Sequence, residues 1–319
     1  MSTTTHPHLE PSVVDVPQWS LPTIPDVRIS SDEFMRAAGR ATRTMPAELH
    51  DALLDFSDTP PTTGAIVLRG LPVGSLPHTP ASPTEKVDKD MVSEFVLLAI
   101  ARRLGQPIGY LPEHGGDLVQ NLVPTRHHAD RQVSTSSKVT LMFHTEAAFH
   151  PFRPRYLLLL CLRGDDSART TLASITEVLP LLSPEVVDTL FEPRFRTAVD
   201  ESYLHGRANV LGAPVSILFG HRSNPSMVFD ADLMVGIDDE AERALRDLAA
   251  AVERHHTGLV LQPGDLLVVD NDRAVHGRSP YQPRWDGFDR WIQRAMAVCD
   301  LSPSAADRSG RVITTRFGA

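Results

Sequence analysis

Lys138-Val-Thr-Leu-Met-Phe-His144-Thr-Glu146 is a short β-rich run that ends in an imidazole and a carboxylate two positions apart. On a strand, positions i and i+2 face the same side, so His144 and Glu146 point at one spot while Thr145 faces away. Far downstream, Val268-Val-Asp-Asn-Asp-Arg-Ala-Val-His276-Gly-Arg278 supplies a second imidazole, and Arg290 follows His276 by fourteen residues (290 − 276). For His276 to meet His144 and Glu146, a distant strand or loop must come back beside the first, as it does in a closing barrel.

Two His and one carboxylate on one face of an ion are the ligand set of non-haem Fe(II) oxygenases, and they leave other positions open. The chain has 14 His, so a His-x-Glu pair by itself is expected by chance; His276 and Arg290, in that order, make the set informative. His127-His128 and His255-His256 are rival metal pairs, although the second ends a helical pattern, where His suits the helix dipole. His2Glu also serves catalytic zinc, but no His-Glu-x-x-His helix is present.

Short apolar runs at 139–143, 156–162, 170–173, 208–218, 259–261, 265–269 and 291–298 read as strands, with turn residues between them. Many short strands of this kind suggest a double-sheet barrel or jelly roll. Helical patterns occupy 32–44, where Ser31 precedes Asp32 and Glu33, and continue over 47–56. A strand at 65–68 follows, then a Pro/Gly/Ser/Thr loop at 72–84. Residues 86–104 read as a helix with Val92, Phe95, Val96 and Ile100 on one face. Two helical inserts interrupt the strands, at 174–190, opened by the capping box Ser174-Ile-Thr-Glu177, and at 238–255. The expected organisation is an N-terminal arm (1–30) and one domain (31–319). That domain comprises a helical layer (31–104), a β core with inserts (105–300) and a C-terminal tail (301–319).

The chain has 319 residues, 41% of them hydrophobic, enough for a sizeable core. Its net charge of −9 argues against a general nucleic-acid or anionic-membrane binder, though not against a small cationic ligand. Cys161 and Cys299 sit in apolar runs and read as buried thiols of a cytoplasmic protein. No run approaches the ~18 apolar residues of a membrane span, and the first residues lack a signal peptide's basic start and apolar stretch.

The run from Ser136 through His144 and Glu146 to His150-Pro151-Phe-Arg-Pro154 resembles the clavaminate synthase-like Fe(II)/2-oxoglutarate oxygenases. So does the closing run Asp270-Asn271, His276-Gly277-Arg278, Asp289-Arg290-Trp291 and Arg294. The similarity covers roughly residues 105–300, and the branch most resembled hydroxylates free amino acids such as arginine and asparagine in peptide-antibiotic pathways. The resemblance implies a double-stranded β-helix (jelly-roll) core with flanking helices and helical inserts. It implies Fe(II) held by His144, Glu146 and His276, with 2-oxoglutarate and O2 as cosubstrates. Glu in place of the wider superfamily's Asp is typical of this branch.

By the same resemblance, Arg290 holds the distal carboxylate of 2-oxoglutarate, assisted by the hydroxyl of Thr171 or its neighbour Thr170. A guanidinium suits that role because it grips a carboxylate through two parallel bonds. Arg294 meets the substrate's α-carboxylate, and Gln120 and Ser134 touch the amino acid head group. Asp230 and Asp232, two apart in an extended chain, would together suit a cationic side chain. If only one points inward, asparagine or citrulline suits as well. Residues 113–137 and 222–237 are expected to act as lids over the site.

The implied reaction is hydroxylation at C3 or C4 of a free, arginine-like L-amino acid. Desaturation or cyclisation with the same cofactors, or a citrulline-, asparagine- or peptide-derived substrate, are the alternatives. A non-catalytic cupin-like binding protein is the alternative from another class.

Overall fold

The computed structural model describes residues 9–318; residues 1–8 of the expected arm lie outside that range. In chain order the strands up to the first ligand are β1 Ser12–Asp15, β2 Ala65–Arg69, β3 Gln106–Tyr110, β4 Gln120–Leu122 and β5 Leu141–His144. They continue as β6 Tyr156–Arg163, β7 Thr170–Ser174, β8 Phe195–Thr197, β9 Leu218–His221, β10 Asn224–Met227 and β11 Met234–Gly236. The last are β12 Thr257–Leu259, β13 Leu266–Asp270, β14 Ala274–Arg278, β15 Trp291–Val298, β16 Arg308–Ser309 and β17 Val312–Ile313. The α-helices are α1 Asp32–Ala41, α2 Ala47–Asp58, α3 Val92–Leu104, α4 Ile175–Val178, α5 Pro184–Leu190, α6 Glu201–Leu204 and α7 Asp239–Arg254.

The architecture is sheet-rich with fewer helices. A nine-stranded mixed sheet runs β1-β2-β13-β6-β15-β3-β17-β16, with β4 also pairing with β15. A four-stranded antiparallel sheet runs β12-β7-β14-β5. The apolar run Tyr-Leu-Leu-Leu-Leu-Cys-Leu explains why β6 is central, because its side chains are buried on both faces. Leu158, Leu160 and Leu162 pack with α1, α2 and α3, whereas Leu157, Leu159 and Cys161 pack toward Leu172 and Ala274 of the smaller sheet. α3 is apolar nearly all round because it lies under α1 and α2 and on the large sheet. A third cluster joins α7 to the outer face of the smaller sheet through Leu248, Ala173 and Val275. Among the described residues, no helix is long and apolar enough to cross a membrane.

Several local expectations change. The N-terminal arm is partly structural, since β1 adds to the sheet edge beside β2. α3 begins at Val92 rather than at residue 86. Asp90 fixes that start, because its carboxylate accepts from the backbone N of Val92 (3.1 Å) and of Ser75 (2.8 Å), tying the preceding loop to the helix entrance. The insert at 174–190 breaks in two where Pro184 opens α5 behind its Ser183 cap. The stretch 208–216 is exposed and outside any strand. Pro214 has no N–H for a ladder, and one isolated bridge, Phe195 to Val215, is all that forms. The C-terminal tail is anchored by β17, which pairs with β3. Cys299 is exposed, just beyond the end of β15, while Cys161 is buried and its thiol is pushed up to about 12 by burial.

Candidate metal and anion centre

β5 and β14 pair antiparallel with His276 opposite His144, which brings the two imidazoles to a ring separation of 4.3 Å. Glu146 follows on the turn after β5, and His144, Glu146 and His276 offer ligand atoms that all lie within 4.8 Å of one another. Three features of these residues fit a divalent cation. Glu146 Oε2 is buried and, among the described residues, has no hydrogen-bond partner, and it lies 3.7 Å from His276 Nε2. Nδ1 of His144 lies 2.8 Å from the Met142 carbonyl. Donation to that oxygen leaves Nε2 as the free lone pair, the usual way a ligating His is oriented. Burial, with help from His144 and Arg294, pushes the His276 pKa well down, which favours the neutral imidazole, the form able to ligate. Burial likewise raises the Glu146 carboxyl pKa against the opposing pull of Arg294.

The backbone around Glu146 is held by Asn271, which is fully buried at the end of β13. Its side-chain oxygen accepts from Glu146 N (2.8 Å), and its amide donates to the carbonyls of Glu146 (3.1 Å) and Pro154 (2.9 Å). Thr145 does the same for residues 228–230. Its N–H donates to Phe229 O (2.7 Å) and its hydroxyl accepts from Phe229 N (3.0 Å). Asn271→Ala should therefore cost about 2–4 kcal/mol of stability and weaken metal binding by roughly 10–100-fold. Thermal melting and an Fe(II) titration check this, and an unchanged iron affinity would remove Asn271 from the support of Glu146.

Arg294 sits on β15, 4% exposed, and β4 pairs beside it so that Gln120 lies directly opposite. Its Nη1 donates to Glu146 Oε1 (2.9 Å), its Nε to Gln120 Oε1 (2.9 Å), and its Nη2 to Glu113 and Gln120. Four of the five guanidinium N–H groups are thus used. Glu113 also accepts from the Tyr203 hydroxyl (3.1 Å). Burial alone would raise the Glu113 carboxyl pKa, but Arg294 and His114 bring it below its usual value, so it is ionised.

A cavity of about 570 Å³ opens in front of this group, bordered by Glu113, Ser134, His144, Glu146, Tyr203, Asp230, Asp232 and Arg294. Ser134, Asp230, Asp232 and Arg294 are thus brought together as expected from the sequence. Gln120 is not; it lies buried behind the cavity wall, where it accepts from Arg294 and donates to Glu113 (3.4 Å). Asp230 and Asp232 are not an extended pair. Asp230 bridges to His144, and its Oδ1 accepts from the backbone N of Asp232 and Leu233 (2.9 Å each), which turns the chain. Asp230 is consequently buried and Asp232 exposed at the cavity rim. Both expected lid segments border the cavity, and so does 199–209, which had not been expected there.

Arg290 and the β7 threonines lie off this cavity, further between the sheets. Thr171 pairs with Gly277 and Thr170 with Arg278. Opposed residues of an antiparallel pair share a face. Thr170 and Arg278 therefore share the inner face with Leu172 and His276, and Thr171 faces outward. The Thr170 hydroxyl is buried without a partner, which favours it over Thr171. The guanidiniums of Arg278 and Arg290 lie 5.1 and 6.0 Å from the Tyr281 ring centre. Arg278 donates to Ser136 Oγ (3.0 Å) and to backbone carbonyls including Val139 O (3.3 Å). Arg290 is 8% exposed and, among the described residues, has neither a carboxylate nor another hydrogen-bond acceptor for its guanidinium. Burial, reinforced by Arg290, pushes the Arg278 pKa down to about 10. An unmatched buried guanidinium of this kind calls for an anion.

The sequence reading missed Glu113, Tyr203 and Asn271 as parts of the site. A signal existed for the first. An arginine inside the apolar strand Trp-Ile-Gln-Arg-Ala-Met-Ala-Val needs a buried carboxylate, and Glu146 alone does not occupy its fork.

Residues 46–296 match the sequence profile of the taurine catabolism dioxygenase TauD, TfdA family. The chain is 41% identical over 295 residues to the L-asparagine oxygenase of Streptomyces coelicolor, covering 91% of this chain and 87% of that protein. It is 38% identical over 295 residues to the L-lysine 3-hydroxylase of Catenulispora acidiphila, covering 90% and 82%. The crystal structure of an asparagine oxygenase with Fe(II), 3-hydroxyasparagine and succinate superposes with a TM-score of 0.89 at 38% identity, over 95% of this chain and 99% of the other.

Proposed function

This chain belongs to the TauD, TfdA dioxygenase family, in its clavaminate synthase-like amino-acid hydroxylase branch, and from that premise we propose that it hydroxylates C3 or C4 of a free L-amino acid with a cationic side chain. It is an Fe(II)/2-oxoglutarate-dependent dioxygenase. The observations that support the site assignment best are the clustered ligand atoms of His144, Glu146 and His276 and the unmatched buried guanidinium of Arg290 near Tyr281. We read residues 31–319 as one oxygenase domain and the two facing sheets as a double-stranded β-helix. The pairing of His144 with His276 across β5 and β14 supports that reading.

His144, Glu146 and His276 would hold Fe(II), which with 2-oxoglutarate and O2 would supply the oxidising power to hydroxylate a C–H bond, with succinate and CO2 as coproducts. The protein contributes position and charge. Arg290 grips the distal carboxylate of 2-oxoglutarate, with the Thr170 hydroxyl beside it. Arg294 offers its remaining N–H to the substrate α-carboxylate, while Glu113 and Glu146 draw the α-ammonium. Gln120 and Tyr203 hold Arg294 and Glu113 in place, and Ser134 lines the head-group side. The rim segments exclude water around the reacting carbon.

Asp232 favours a cationic side chain, because it brings to the rim an exposed carboxylate that has no ion-pair partner among the described residues. Asp230 supports an amide side chain as the second reading, since it is the one acid of the pair that is buried, next to His144. The test is succinate release from the twenty amino acids with ornithine and citrulline, together with a product mass gain of one oxygen. Arginine or lysine should give the strongest signal; asparagine in first place selects the second reading. No stimulation by any free amino acid overturns both.

A further inference from the structure

Five arginines line a second cavity on the opposite, helix-covered side of the large sheet. They are Arg36, Arg40, Arg43, Arg102 and Arg311, and the cavity measures about 310 Å³. One acid, Asp32, shares it, which leaves a local excess of four positive charges (5 − 1) in a chain of net charge −9. The cluster is assembled from α1 and the turn after it, from the end of α3, and from the segment leading into β17.

The chain places these charges together against their own repulsion. Arg36, Arg40 and Arg43 follow one helical face at spacings of four and three, where like charges destabilise a helix. Arg102 and Arg311 both donate to Gln106 Oε1, the latter at 3.1 Å, so one neutral oxygen holds two guanidiniums. Among the described residues none of the five has a carboxylate within ion-pair distance. Arg102 Nε is buried and, among the described residues, has no hydrogen-bond partner. Burial, and next to it Arg102, pushes the Arg311 pKa down despite Asp32. An anion reverses each of these penalties at once.

We propose that this cavity binds a small phosphate-bearing anion of the diphosphate class. The guanidinium fork matches phosphate oxygens in pairs, and several forks converging from three elements match an ion with oxygens on all sides. A diphosphate carries enough negative charge to offset the local excess, and the volume is at the lower end of small-molecule sites. The site is separate from the oxygenase centre, because α1 and α3 cover the face of β15 opposite to Arg294.

The experiment is calorimetric titration of the full-length, iron-free chain with inorganic pyrophosphate at constant ionic strength. Wild type should bind saturably. Arg36→Glu/Arg40→Glu should weaken binding at least about tenfold, as these side chains are exposed and their replacement leaves the core intact. Arg40→Gln alone should weaken it less and serves if the double variant does not fold. Arg290→Ala should bind pyrophosphate like wild type. Loss of binding in Arg290→Ala would place the anion at the other site and overturn the proposal. Equal binding by the charge variants would also overturn it, as would polyglutamate binding where pyrophosphate does not.

Discussion

Glu146→Ala is expected to abolish succinate formation, lowering turnover by more than about 100-fold, since even groups that merely support a metal ligand cost up to that much. The two carboxylate oxygens of Glu146 face different partners. Oε2 is buried and unpartnered beside His276, at 3.7 Å from its Nε2, where a cation would sit. Oε1 accepts from Arg294, the group proposed to meet the substrate's α-carboxylate. Removing the carboxylate takes away a ligand and leaves Arg294 paired with Glu113 and Gln120 alone. The fold should survive, because burial opposes ionisation of Glu146 in the metal-free protein and Glu113 still neutralises Arg294. Circular dichroism and succinate release on the same sample separate the two effects. Wild-type turnover in this variant would remove Glu146 from the iron.

Arg290→Ala is expected to raise the KM for 2-oxoglutarate by roughly 30- to several-thousand-fold, the range that follows from truncating one side of a buried charge pair at about 2–5 kcal/mol. Arg290→Lys should fall between, since an ammonium cannot make the paired bonds. A stability readout distinguishes this account from a structural one. Arg290 stands beside Arg278, both near Tyr281, and among the described residues neither guanidinium is ion-paired to a carboxylate. Its removal should leave the melting temperature of the ligand-free protein unchanged or higher. An arginine that served the fold would lower it. An unchanged KM would show that 2-oxoglutarate is held elsewhere.

How far the sequence could be read depended on how local each signal was. His144 and Glu146 were legible from a spacing of two on one strand, and His276 only from its order in the chain. The β5–β14 pairing that joins them spans more than a hundred residues and leaves no local trace. The long apolar runs of β6, β13 and β15 gave themselves away, whereas β3 and β14, with Gly or polar residues inside them, did not. The stretch at 208–216 carried strand-forming residues but no partner to pair with. The two-residue spacing of Asp230 and Asp232 suits an extended chain, but the Asp230 carboxylate caps its own turn. Thr170 and Thr171 could not be separated without the register of β7 against β14, which fixes the inner face.

The central claim is that His144, Glu146, His276 and Arg290 form one iron and 2-oxoglutarate site. Anaerobic titration of the protein with Fe(II) and then 2-oxoglutarate tests it most directly. The account predicts a visible charge-transfer absorption that saturates stoichiometrically in wild type, is absent in Glu146→Ala, and needs far more 2-oxoglutarate in Arg290→Ala. No visible absorption in the wild-type protein would contradict it.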